Sequence, residues 1–241
     1  MIHPTALIDP KAELADDVEV GAFSIIDAKV RIDSGTKIRS HAVLTGRTTI
    51  GKNNQIFQFT SIGEQPQDKK YAGEDTELII GDNNTIREFT LLNPGTKGGG
   101  AVTKIGNSNL LMGYVHLGHD VIIGDNCILA NGATLAGHVE LGNNVVIGGL
   151  TPIHQFVHIG DFAMIGGASA LSQDVPPFCL AEGNRTTLRG LTLTGVRRHM
   201  AREKINSLIP AYRDPFEYGN PLLVEAQRIL VNAGSEEVKN R

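Results

Sequence analysis

The chain has 241 residues, a net charge of −4 and a sequence pI near 6.1, which admits one large domain or two small ones and is not the charge balance of a nucleic-acid binder. Glycine is 28 of the 241 residues, tryptophan is absent and aromatics are 5%, so a core must be assembled from small and branched side chains rather than large anchors. Hydrophobic residues at 41% exclude wholesale disorder, and the glycines lack the every-third spacing of collagen.

In chain order, the first pattern is a period of six. Aliphatic residues stand at Ile2, Ile8, Leu14, Val20, Ile26, Ile32, Ile38, Leu44, Ile50, Ile56 and Ile62. Four residues after each comes a small or β-branched residue, as in Ala6, Ala12, Val18, Ser24, Val30, Thr36, Ala42 and Thr48. The period resumes at Ile80, Ile86 and Leu92, shifts, and runs from Ile105 to Leu171. Two segments break it, about 64–77 and about 97–104. They read as loops ejected from a rigid scaffold, a common place for function. Six fits neither a helix nor a long strand; it fits a short strand followed by a tight corner. Three such strands make one coil of a parallel β-helix. The hexads, with Ile50-Gly51, Ile123-Gly124, Ile147-Gly148 and Ile165-Gly166 as clear examples, resemble the hexapeptide-repeat family, and that resemblance implies a left-handed helix of about 18 residues per coil. The expected organisation is a β-helix over 1–178 and a C-terminal helical region over 179–241, where apolar residues take helical spacing and Pro210, Pro215 and Pro221 punctuate them.

Residues 18 apart stack on successive coils, about 4.8 Å apart. Gly137 is 18 after His119, and His138 is 18 after Asp120. The four are therefore expected in one cluster, with His116 at a neighbouring corner and His154 and Gln155 one coil on. Such residues can be plain solvated corners. Together they also outline an acyl-transfer site: a histidine base, a carboxylate to hold its tautomer, and a glycine N–H open to an oxyanion. Zinc is the competing reading, since histidine is a common ligand. The spacing of His116, His119 and His138 does not resemble the three-histidine pattern of carbonic anhydrases on this fold, so no metal is expected.

Longer segments resemble one hexapeptide-repeat family, the UDP-N-acetylglucosamine O-acyltransferases that begin lipid A synthesis. They include Gln67-Asp68-Lys69-Lys70-Tyr71-Ala72-Gly73-Glu74, His116-Leu117-Gly118-His119-Asp120, Ala133 to Val139, His154-Gln155-Phe156 and Gln173 to Pro177. The resemblance covers about 1–235. It implies that His119 is the general base for the sugar 3-position, Asp120 its partner, and Gly137 the oxyanion donor. Asp68, Lys70, His116, His138, Gln155 and Arg198 match substrate-contact positions. Gly167 matches the position that limits acyl-chain length, and glycine there implies a longer chain. The implied substrates are a 3-hydroxyacyl-acyl carrier protein and UDP-N-acetylglucosamine, and the implied assembly is a homotrimer with its sites between subunits. The proposed chemistry requires no cofactor. A basic cluster, Arg185, Arg189, Arg197, Arg198, Arg202 and Lys204, suits an acidic carrier protein or a diphosphate.

Other readings are transfer to a 3-amino sugar nucleotide to give an amide, and a non-catalytic scaffold that binds nucleotide sugars. The related N-acyltransferases carry an N-terminal uridine-binding domain, whereas hexads here begin at Ile2. CoA-dependent acetyltransferases of this fold lack the 67–74 block. Two cysteines, Cys127 and Cys179, are too few for a disulfide framework and read as reduced thiols. Met1 to Thr5 lacks the basic-then-apolar pattern of a signal peptide, and no apolar run approaches the ~18 residues of a membrane span. A cytoplasmic protein is expected.

Overall fold

A computed structural model describes residues 1–192 together with Arg197 and Ile205. The described chain winds into a left-handed parallel β-helix with three flat faces. Almost every strand is two residues long, because each hexad supplies one outward residue, one inward residue and a four-residue corner. The first face runs from Leu7–Ile8 to Pro152–Ile153, the second from Glu13–Leu14 to His158–Ile159, and the third from Glu19–Val20 to Met164–Ile165 and beyond. Equivalent strands pair in parallel, in register, 18 residues apart wherever no loop intervenes.

The inward residue of each strand is the aliphatic column of the sequence. Ile26, Leu44, Ile62, Leu92, Leu117, Leu135 and Ile153 are buried behind the first face, and the other faces repeat this with isoleucine, leucine and valine. Branched chains stack on branched chains along the axis, so the core is filled without aromatic anchors. A second buried column is polar. Asn54, Asn84 and Asn109 lie inside the corner between the second and third faces. The Asn84 N–H donates to Asn54 Oδ1, the Asn109 N–H to Asn84 Oδ1 and the Cys127 N–H to Asn109 Oδ1, each at 2.7–2.9 Å. Their Nδ2 groups donate to corner carbonyls such as Gly81 O, Gly106 O and Gly124 O. Buried corner amides that would otherwise lack partners are thus satisfied coil by coil. Cys127 ends the ladder. Burial pushes its thiol, and that of Cys179, up to about 12, so both free cysteines are inert thiols rather than nucleophiles.

Both ejected loops leave from the corner between the first and second faces. Ser61 pairs with Leu91, 30 residues on, and Leu91 with His116, 25 residues on. The first loop fills the gap between Ile62 and Glu77, the second that between Leu92 and Val102. The second leaves earlier than the break near residue 97 suggests, because Leu92 is the last inward aliphatic before it. Asp75 latches the end of the first loop to the scaffold, 3.0 Å from Lys29 Nζ and 3.6 Å from Arg47.

The expected boundary at 178 needs correction. Cys179–Glu182 continues the third face in parallel with Met164–Ile165, and Thr187–Leu191 folds back antiparallel to it. These residues close the C-terminal end of the barrel over the fully buried Phe178. They carry no hexad spacing because the chain reverses here instead of winding on. Beyond them only Arg197 and Ile205 are described, both helical. Arg198, Arg202 and Lys204 of the basic cluster lie outside the described residues.

Candidate active site

His119 and Asp120 occupy the corner between the first and second faces, one coil beyond the second loop. Asp120 sits there with φ of 60°, and His138 and Phe156 repeat the left-handed corner on the next two coils. Stacking places the groups as the 18-residue spacing requires. The His138 N–H donates to His119 O at 3.0 Å, and the Phe156 N–H to Gly137 O at 3.2 Å.

The His119 Nδ1 lies 2.8 Å from Asp120 Oδ2. The Asp120 side chain is 1% exposed, so its charge is held by hydrogen bonds rather than by water. Thr96 supplies two of them: its N–H reaches Oδ1 at 2.8 Å and its hydroxyl reaches Oδ2 at 2.6 Å. The Asp120 N–H in turn donates to Thr103 Oγ1 at 2.8 Å. Gly99 backs the carboxylate, since a Cβ there would run into it. With Nδ1 committed to Asp120, the proton is assigned to that nitrogen and Nε2 is left as the acceptor.

Nε2 faces Gly137. A Cβ on Gly137 would stand 2.5 Å from His119 Cε1 and 2.6 Å from Nε2. The Gly137 N–H has no acceptor among the described residues. His138 stacks on Phe156 with ring centroids 4.5 Å apart and meets the His119 ring edge-on at 5.1 Å. Its Nε2 is 3.8 Å from Asp120 Oδ2, close enough to feel the charge but not hydrogen-bonded. Ligand-type atoms of His119, Asp120 and His138 lie within 4.8 Å of one another. Both Asp120 oxygens are already engaged by Thr96 and His119, which is the arrangement of a proton relay rather than of an open ligand set.

A cavity of about 1000 Å³ opens over these residues. Gln155 and Phe156 line its far side, and Asp68 and Lys70 of the first loop and Lys97 of the second line its near side. The loop acids serve the backbone. Asp68 accepts the Lys70 N–H at 2.9 Å, and Glu74 accepts the Ala72 N–H at 2.7 Å and the Lys97 N–H at 3.4 Å. These bonds, that from Ala72 first, hold the Glu74 carboxyl below the usual carboxylate range. Lys70 and Lys97 have no carboxylate partner among the described residues.

Thus the structure brings His119, Asp120, Gly137, His138, Gln155, Asp68 and Lys70 together. Two expected positions differ. His116 is on the first-face strand His116–Leu117, not at a neighbouring corner, and burial holds its imidazole below the ordinary histidine value. Gly167 lies at another corner, between the third and first faces, next to Ala168 with its φ of 54°. A Cβ at Gly167 would meet only Gly149 backbone at 3.5 Å, so the glycine is not forced by packing. Arg198 lies outside the described residues. Sequence reasoning missed Thr96, Lys97, Gly99, Thr103 and Phe156. The run Gly98-Gly99-Gly100 was the available signal for the second loop.

Fold and site together define a hexapeptide-repeat transferase built around a histidine–carboxylate pair. The pattern described as bacterial transferase hexapeptide (six repeats) matches residues 103–137, and that described as UDP N-acetylglucosamine O-acyltransferase, domain 2, matches residues 174–240. The Acyl-[acyl-carrier-protein]--UDP-N-acetylglucosamine O-acyltransferase of Sulfurovum sp. (strain NBC37-1) is 73% identical over 239 residues, spanning 99% of this chain and 92% of its own length. The structure of UDP-N-acetylglucosamine acyltransferase from Campylobacter jejuni superposes with a TM-score of 0.88 at 45% identity, over 99% of this chain and 93% of that one. The Moraxella catarrhalis enzyme structure gives 0.90 at 44%, over 96% and 91%. The chain belongs to the UDP-N-acetylglucosamine O-acyltransferase family.

Proposed function

We propose that this protein transfers a 3-hydroxyacyl group from an acyl carrier protein thioester to the 3-hydroxyl of UDP-N-acetylglucosamine, the first step of lipid A synthesis. The observation that carries the reading is the His119–Asp120 pair directed at Gly137 beneath a cavity of about 1000 Å³. His119 Nε2 takes the proton of the sugar hydroxyl as its oxygen attacks the thioester carbonyl. The new C–O bond leaves a tetrahedral oxyanion beside the Gly137 N–H. Collapse breaks the C–S bond, and the proton on His119 passes to the departing thiolate. Asp120 stabilises the imidazolium that exists between the two transfers.

Lys70 and Lys97 are suited to the diphosphate of the nucleotide sugar, because their acidic neighbours are occupied by backbone N–H groups. Replacing Lys97 by alanine is expected to raise KM for UDP-N-acetylglucosamine about three- to tenfold with little change in kcat, the signature of lost uniform binding. Initial rates at varied sugar nucleotide check this.

The reading extends to a homotrimer working in the cytoplasm. Gly167 would limit the acyl chain, yet it stands at a different corner from His119, so a groove containing both needs a second copy. The outward face residues Leu7 and Ile25 and the corner stack of Phe23, His41, Phe59, Phe89 and Tyr114 are apolar surface of the kind such copies would cover. No helix among the described residues is long and apolar enough to cross a membrane.

The test is mass spectrometry of protein incubated with UDP-N-acetylglucosamine, its 3-amino analogue and 3-hydroxyacyl carrier proteins of several lengths. An O-acylated sugar nucleotide supports the reading. An amide formed only on the amino analogue replaces it, and no product with any pair, from a folded protein, returns the scaffold reading.

A further inference from the structure

The second ejected loop does more than line the cavity. Asp120 is almost wholly buried, and His119 occupies only one side of one of its oxygens. Left to that bond alone, the carboxylate could rotate about its own axis and offer either oxygen. Thr96 removes that freedom. Its N–H holds Oδ1 at 2.8 Å while its hydroxyl holds Oδ2 at 2.6 Å, so one residue grips both oxygens and fixes the carboxylate plane. Thr96 is itself buried. It is carried by a rigid turn, because the N–H groups of Gly99 and Ala101 both donate to Thr96 O, at 3.0 and 2.9 Å. Gly99 then closes the space behind the carboxylate, where no side chain would fit. The Asp120 backbone is pinned separately by Thr103 Oγ1.

We propose that Thr96 is a positioning residue: by clamping both oxygens of Asp120 it directs Oδ2 at His119 Nδ1, keeps the proton on that nitrogen, and so keeps Nε2 free to act as base. The role rests on His119 being the base of the acyl transfer proposed above. Thr96 touches no reacting atom. Its effect reaches the chemistry only through Asp120, and the cost of losing it falls on kcat rather than on substrate binding.

The experiment compares wild type, Thr96→Val and Thr96→Ser. Valine keeps the shape and the N–H but removes the hydroxyl; serine restores the donor. Charge-assisted hydrogen bonds of this kind correspond to a change in kcat of about ten- to a hundredfold. Thr96→Val is expected to lower kcat by that factor with KM for both substrates within twofold of wild type, and Thr96→Ser to recover most of it. The second readout needs no substrate: nitrogen NMR of selectively histidine-labelled full-length protein. It should show a single Nδ1–H tautomer for His119 in wild type and Thr96→Ser, and a mixture in Thr96→Val. An unchanged tautomer and unchanged kcat in folded Thr96→Val, or a serine variant no better than valine, overturns the proposal. A wild-type protein with the expected tautomer shift on mutation but no acyltransferase activity separates failure of the assigned reaction from failure of the clamp.

Discussion

Replacing His119 by alanine is expected to lower kcat about a thousandfold while leaving the protein folded. A positioned general base contributes about 10²- to 10⁴-fold, and nothing else in the cavity can take over its position. His138 is the nearest substitute, but its Nε2 faces Asp120 at 3.8 Å and its ring is held against Phe156 at 4.5 Å. Stability should change little. The His119 side chain stands at an open corner, 14% exposed, and the aliphatic columns beneath it are untouched. The one group left worse off is Asp120, which keeps both hydrogen bonds from Thr96 when the imidazole is gone. Circular dichroism and thermal unfolding of the variant, beside its acyl-transfer rate measured by product mass, check both halves. A variant retaining a tenth or more of wild-type kcat would remove His119 from the role of base. Residual activity above the uncatalysed rate is expected, because the Gly137 N–H and the binding cavity remain.

The contrast between what the sequence shows and what it hides follows from the fold. In a β-helix each strand sends one residue inward, and only aliphatic side chains pack there, so the column Val20, Ile26, Ile32, Ile38 displays the architecture residue by residue. Breaks in the column locate the loops. Constant coil length turns sequence distance into spatial distance, which is why His119 over Gly137 and Asp120 beside His138 were legible before any coordinates. The same arithmetic fails wherever the coil length changes. Thr96 and Asp120 are 24 residues apart across an ejected loop, so no multiple of 18 connects them. His116 is three residues from His119, and that half-repeat separates a strand from a corner. The closing hairpin 179–191 was hidden for the opposite reason: its chain reverses direction, and a reversal has no hexad phase. The corner stack of Phe23, His41, Phe59, Phe89 and Tyr114 shows that left-handed corners accept large exposed rings. Residue type at a corner is thus set by what lies outside the barrel, and not by the core.

The same reasoning gives Gly137 a larger predicted effect than its size suggests. Gly137→Ala adds a single carbon, yet that carbon would stand 2.5 Å from His119 Cε1 and 2.6 Å from Nε2, well inside contact distance. The backbone offers little relief, because Gly137 O already accepts the Phe156 N–H and the Ala136 and His138 N–H groups bond to neighbouring coils. The ring has to move instead. Moving it stretches the 2.8 Å bond to Asp120 and turns Nε2 away from the space beside the Gly137 N–H, so base and oxyanion donor lose their common focus. Displacements of about 1 Å at a reacting group cost on the order of a hundredfold, and here two functions share the displacement. The expected outcome is a fall in kcat of a hundredfold or more, with KM for UDP-N-acetylglucosamine little changed and unfolding temperature close to wild type, since no buried residue is altered. Steady-state kinetics and a crystal structure of the variant check this together: a His119 ring left in place with kcat intact would mean that the close approach of Gly137 is packing alone. A displaced ring with lost kcat would tie the missing Cβ to catalysis, and would explain why a corner that elsewhere carries phenylalanine or histidine carries nothing here.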